Sequence, residues 1–265
     1  MDRQWVPEDV DINTPSAARV YDALLGGGHN FPSDRAFARE AERVYPGLGT
    51  SARANRAFLR RAVLHALDAG VRQFLDLGSG IPTVGNVHEI VHAVDPTCPV
   101  VYVDYEPVAV AHSDLLLKEN RHATIVAADA RDAQHVLAHP ETVRLLNFDE
   151  PVMVLMLALL HFIPDEDRPA DIVASYREPL AAGSMIAITS AANDARQDEL
   201  AELTKLFASS SNPAVPRPKA WIAEQFGDFE LVEPGAQLVG DWRPDERLDD
   251  EQQDHIVFGG VGVRR

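Results

Sequence analysis

The chain has 265 residues, 46% hydrophobic and 25% charged, enough to bury roughly three quarters of its unfolded surface without covalent staples. Asp and Glu number 41 against 24 Lys and Arg, a formal charge of −17. That charge argues against polyanionic partners, whether nucleic acid or an anionic membrane surface. The single cysteine, Cys98, excludes an internal disulfide and a cysteine-based zinc cluster.

The first 70 residues read as helical, a cap ahead of the main unit at 71–265. Thr14 can cap a helix with Pro15 at its first position. Val20, Tyr21, Leu24 and Leu25 form its apolar stripe, and Gly26-Gly27-Gly28 stops it. A second segment starts at Ser33, and Pro46-Gly47 ends it. A third runs from about Ser51 to Gly70.

From Val71 short apolar runs alternate with helical stretches. Strands are expected at Arg72–Leu77, Val100–Val103, Ala123–Ala128, Pro151–Leu157 and Ser184–Thr189. Helices are expected at Val84–Val91, Pro107–Lys118 and Asp167–Tyr176, and Arg196–Phe207 is amphipathic. This alternation predicts βαβ units, hence a doubly wound, largely parallel sheet. Ser209–Pro218 reads as a loop. Phe229–Val232 and Ile256–Val263 read as closing strands, and the acidic stretch Asp245–Asp254 between them as a solvated loop. No positively charged start followed by an apolar stretch marks a leader. The longest apolar run, Val152–Leu160, is far short of a membrane span. The expected location is cytoplasmic.

Three strand ends carry the chemistry. The first ends in Asp76-Leu77-Gly78-Ser79-Gly80, a glycine turn at the place where such sheets bind ligands. The second ends in Asp104, an acidic residue positioned to accept both hydroxyls of a ribose. The third ends in Asp129, which can accept from an adenine amino group or simply cap a turn. A dinucleotide site wants a third glycine to seat pyrophosphate on a helix N-terminus. Position 83 is threonine instead, and Gly80-Ile81-Pro82-Thr83 delays the helix. A ligand with ribose and adenine but no pyrophosphate, S-adenosylmethionine (SAM), fits better.

The runs DLGSG, VDYEP, ADARD and VLMLALLHFIPD resemble the class I SAM-dependent methyltransferases. The phrases TPSAARVYDALLGGGHNFPSDR and DLGSGIPTVGNVHEI, with the closing VFGGVGVRR, are similar to a bacterial family of S-adenosyl methyltransferases once classed as a domain of unknown function. That resemblance implies a Rossmann-like seven-stranded sheet with an antiparallel last strand. It implies that Gly78 and Gly80 approach the methionine part of SAM and that Asp104 takes the ribose hydroxyls. Tyr105 would lie beside the adenine, with Asp129 and Ala130 on its edge. Leu157 or Ala158 would line the site near the methyl sulfur.

The cap then gains a role as a lid, with Tyr21, the three glycines, His29 and Asn30 over the cofactor. Arg56 can fork onto the cofactor's carboxylate. His161, just past the fourth strand, is the candidate general base. No metal-ligand pattern is present: His88-Glu89 lacks a second histidine at zinc-helix spacing, and His122, His135 and His139 read as surface residues. The expected partner is a small-molecule methyl acceptor. Two rival readings share these features: a non-catalytic SAM-binding regulator, and a NAD-dependent oxidoreductase on the same fold.

Overall fold

The computed structural model describes residues 10–83, 85–245 and 256–265. The first residue of the expected helix at Val84 and nearly all of the expected loop at Asp245–Asp254 lie outside those residues. Three helices come first: α1 (Ala17–Leu24), α2 (Pro32–Val44) and α3 (Leu48–Asp68). Then follow β1 (Gln73–Leu77), α4 (Val87–His92), β2 (Val100–Asp104), α5 (Pro107–Leu117), β3 (Ala123–Ala127), α6 (Ala133–Ala138) and α7 (Pro140–Leu145). The chain continues through β4 (Val152–Leu157), α8 (Pro169–Arg177), β5 (Met185–Ala191), α9 (Gln197–Phe207) and α10 (Lys219–Glu224). It closes with β6 (Glu230–Leu231), β7 (Gln237–Leu238) and β8 (Val257–Val263).

Strands β3, β2, β1, β4 and β5 lie side by side and parallel. β8 joins β5 antiparallel, and β6 and β7 pair with β8 antiparallel. The described sheet therefore has eight strands. The addition to the seven expected is β7, a two-residue strand too short to leave a periodic signal. Chain order reverses about β1, with β2 on one side and β4 on the other. The carboxyl ends diverge there and leave a crevice, which is where open α/β sheets take their ligands.

Alternation along the strands sorts their side chains into two layers. Phe74, Tyr102, Met153, Leu155, Met185 and Ala187 share one buried cluster with Phe37 and Ala41 of α2 and Phe58, Ala62 and Val63 of α3. Leu75, Val101, Val103, Val154, Met156 and Ile188 share the opposite cluster with Val136, Val173, Tyr176 and Ile222. Cys98 is buried in the first layer. Among the described residues no helix is long and apolar enough to cross a membrane.

The expected start of α1 is corrected. Ser16, not Thr14, caps the helix, its hydroxyl accepting the Arg19 N–H at 3.3 Å. The Thr14 carbonyl is instead taken by the Arg19 guanidinium at 2.6 Å. Chemistry also requires glycine at one point in the sheet: a Cβ on Gly259 would sit 1.9 Å from the Ile188 carbonyl oxygen.

Candidate functional site

A cavity of about 400 Å³ opens at the switch point, within the range of small-molecule and cofactor sites. Its floor is the β1–α4 turn. Gly78 and Gly80 both adopt φ of +67°, a conformation L side chains rarely take. The Gly78 and Ser79 N–H groups donate to the Val103 carbonyl at 2.8 and 3.1 Å. A Cβ on Gly78 would press within 2.7 Å of Leu159, whereas one on Gly80 would meet nothing within 4 Å. Gly80 borders the open cavity.

Asp104 stands beside this turn. One carboxylate oxygen accepts the Gly80 N–H at 2.7 Å and the other accepts the Glu106 N–H at 2.9 Å. Burial pushes its pKa up, while these backbone donors pull the other way. The carboxylate is thus fixed in direction and still has lone pairs toward the cavity. Tyr105 also lines the cavity. Its hydroxyl accepts from the Asn212 amide at 2.5 Å, and the Asn212 carbonyl accepts the Ala17 N–H at 2.9 Å. Segment 211–213 therefore straps the β2 end to the start of α1.

At the β3 end, Asp129 and Ala130 line the cavity. The Asp129 carboxylate is held by the Arg131 fork, which also reaches Asp167. Burial raises the Asp129 pKa, but the Arg131 hydrogen bonds outweigh it and the net shift is downward. Part of the capacity expected for an adenine amino group is therefore already used by Arg131. The Ala130 carbonyl is likewise taken by the Tyr176 hydroxyl at 2.9 Å.

The cap supplies the roof. Tyr21 and Arg56 line the cavity, and Arg56 donates to the Gly85 carbonyl at 2.8 Å. The Tyr21 hydroxyl donates to the Ala52 carbonyl at 3.0 Å and accepts from Asn55 at 3.2 Å. Asn55 in turn accepts from the Thr189 hydroxyl at 2.8 Å, and that hydroxyl accepts the Ala158 N–H at 2.9 Å. One buried chain of hydrogen bonds thus joins α1, α3, β5 and the residue just past β4. Leu157 and Ala158 line the cavity there, with Leu159, Phe162, Ile163 and Pro164 continuing an apolar wall.

Six expected residues sit elsewhere: Gly26, Gly27, Gly28 and His29 of the expected lid, like Asn30 and His161, are not among the residues lining the cavity. Asn30 is absent from the lining. Its amide donates to Asp22 at 2.7 Å and to the Gly27 carbonyl at 2.9 Å, holding the glycine turn together. His161 is also absent from it. The 3-10 turn Leu160–Phe162 rotates its ring inward, where Nδ1 accepts the Ala191 N–H at 3.2 Å. Burial, aided by the nearby Arg217 charge, lowers its pKa to about 3. With Nδ1 engaged by a backbone N–H and the residue absent from the cavity lining, His161 is not placed to take a proton from an acceptor there.

Sequence reasoning missed Asp76, which lines the cavity and is buried. Burial raises its pKa to about 7, with Arg56 opposing and Asp104 reinforcing the shift. Its position at an odd step among buried strand residues was the available signal. Asn55 and Asn212 were missed as well. Each has a partner more than a hundred residues away, Thr189 for Asn55 and Ala17 for Asn212, which no local pattern marks.

A family profile described as S-adenosyl methyltransferase matches residues 3–265. A crystal structure from Thermobifida fusca YX, named as a candidate methyltransferase, is 38% identical, covers 99% of each chain and superposes with a TM-score of 0.92. A DUF574 family protein from Streptomyces avermitilis MA-4680 is 35% identical over 96% of this chain and 100% of its own, with a TM-score of 0.90. The plantazolicin methyltransferase BamL, solved with a desmethylPZN analog and SAH, shares the fold at 11% identity over 94% and 96% of the chains, TM-score 0.55. No curated protein is detectably similar in sequence. On the near-complete profile match and the two relatives above 30% identity, the chain belongs to the S-adenosyl methyltransferase family, and S-adenosylmethionine is its cofactor.

Proposed function

We propose that the chain transfers the methyl group of SAM to a small-molecule acceptor held against the apolar wall past β4. The observation that carries this reading is Asp104, oriented by two backbone donors at the rim of a cavity that the glycine turn leaves open. The donor set fits the cofactor. Asp104 takes the ribose hydroxyls, and the backbone at Gly78 and Gly80 lets the methionine part approach. Arg56 pairs with its carboxylate and Asp76 with its amino group. Tyr105 lies along the adenine, whose edge meets Ala130 and the part of Asp129 that Arg131 leaves exposed.

When bound, the cofactor supplies a methyl group on a positively charged sulfur, already a good leaving group. The chain's own contribution is alignment, which can supply roughly 7–11 kcal/mol where reactants are well oriented. Leu157, Ala158 and Phe162 exclude water beside the reacting carbon. Tyr21 and Asn55, joined by one hydrogen bond and anchored to Ala52 and Thr189, fix the roof above it. A small acceptor suits a cavity of about 400 Å³ beside α1 and the 211–213 strap, and a chain of formal charge −17 suits a neutral or cationic one.

Calorimetric titration tests the reading. The parent is expected to bind SAM, and Gly80→Arg to bind none, since the arginine would occupy the cavity and force a side chain into φ of +67°. Equal binding by parent and variant, or tighter binding of NADH than of SAM, would sink it.

Asp76 makes the binding pH-dependent. Its carboxyl is protonated and neutral below about 7 and charged above. Only the charged form offsets a cationic amino group. SAM affinity is therefore expected to rise between pH 6 and 8 in the parent. Asp76→Asn should bind more weakly and lose the part of the slope due to this residue. Parallel pH profiles for parent and variant would refute the assignment.

A further inference from the structure

The cap is joined to the ribose end of the site through a buried cation. Arg19 on α1 is 3% exposed. Its guanidinium donates to Asp34 of α2 at 3.0 Å and to Glu106 at 2.8 Å, and also to the Asp11 and Thr14 carbonyls at 3.1 and 2.6 Å. Asp34 is fully buried and accepts the Phe31 and Ser16 N–H groups as well. Glu106 has further bonds, including one from the Ser16 hydroxyl, at 3.5 Å, to the same oxygen that takes Arg19. Its second side-chain oxygen accepts the Ala109 N–H at 2.8 Å, and its backbone N–H donates to Asp104 at 2.9 Å. Ordinary capping of α5 needs only the Ala109 contact. The Arg19 contact, spanning 87 residues, ties the residue that orients Asp104 to a helix of the cap.

We infer that Arg19 is a positioning residue for ribose recognition, acting through Glu106 to hold Asp104 against the glycine turn. Two buried carboxylates far apart in sequence converge on one guanidinium, whose planar fork can serve both at once. Withdraw the cation and Glu106 becomes a buried charge without its counter-ion, drawn toward water although the Ala109 N–H and the Ser16 hydroxyl still reach it. Its backbone N–H then leaves Asp104, and the carboxylate loses one of its two anchors. The coupling runs both ways: a ligand that grips Asp104 stabilises the seat of α1.

The inference rests on the reading of Asp104 as the ribose contact, so its test separates the two. The probes are S-adenosylhomocysteine and its 2′,3′-dideoxy analogue, titrated into the parent, Glu106→Gln and Arg19→Lys, each checked for folding by thermal melting. Glu106→Gln keeps the shape of the side chain and removes its charge. Arg19→Lys keeps the charge and removes the fork. Both are expected to weaken S-adenosylhomocysteine about tenfold while leaving the dideoxy analogue within about twofold of the parent. Equal losses for the two probes mean a general loosening and overturn the inference, as does no loss for either. Failure of the parent to prefer the hydroxylated probe overturns the reading of Asp104 itself. If neither variant folds, hydrogen exchange on the parent decides. S-adenosylhomocysteine must slow the α1 amides more than the dideoxy analogue does, and equal protection refutes the link.

Discussion

Asp104→Ala is expected to weaken SAM binding by about 10²–10⁴-fold. Two hydrogen bonds from ribose hydroxyls to a carboxylate contribute about 1.5–3 kcal/mol each, and each 1.4 kcal/mol is about a factor of ten. The side chain is already aimed by the Gly80 and Glu106 N–H groups, so the ligand spends little freedom in ordering it. Alanine removes the acceptors and also releases the glycine turn from its tether. Asp104→Asn keeps one acceptor oxygen and should lose about tenfold, as expected for one of the two bonds. Isothermal titration at constant pH reads both values, and melting curves without ligand show whether the fold is intact. A dissociation constant for Asp104→Ala within fivefold of the parent would remove Asp104 from the site.

Gly259→Ala should be the most damaging single methyl group in the sheet. The added Cβ would lie 1.9 Å from the Ile188 carbonyl oxygen and 2.8 Å from the Thr189 Cα. Both neighbours are backbone, in a strand whose residues are all buried, so neither can step aside. Overpacking of this kind costs about 1–3 kcal/mol or more, and about 3 kcal/mol would lower the melting temperature of a chain this size by roughly 6–12 °C. The damage reaches the site, because the Thr189 hydroxyl anchors Asn55 and the Ala158 N–H. Scanning calorimetry of the variant gives the first number, and titration with SAM reports the second effect. A variant that melts within a degree of the parent contradicts the packing argument.

The parallel strands were legible because each is a short apolar run between turn residues. β1, β2 and β5 are buried at every position and mainly apolar, and β4 is apolar throughout, as strands covered on both faces are. The short pieces were not. α6, α7 and α10 have six residues each, fewer than two full turns, so no stripe can develop. The site divides in the same way. Gly78, Gly80, Asp104, Asp129 and Leu157 stand at strand ends that the pattern predicts, and the structure gathers them around one cavity. Asn30 and His161 are adjacent to the right elements, yet local turn geometry points them away. Asn55, Asn212 and Arg19 each have a partner 87 or more residues distant. Only the folded topology brings those together.

The shared cluster of α2, α3 and the sheet also bears on how the chain can be divided. A seam at residue 70 looks natural in the sequence, where helices give way to strands. In the folded protein the side chains of Phe58, Ala62 and Val63 are the wall that covers Phe74, Met153 and Leu155. A polypeptide beginning at Val71 would keep every strand and still bare one whole apolar flank to water, a surface that sticks to its like. The leading helices are therefore part of the foundation of the sheet, whatever they do for the cofactor.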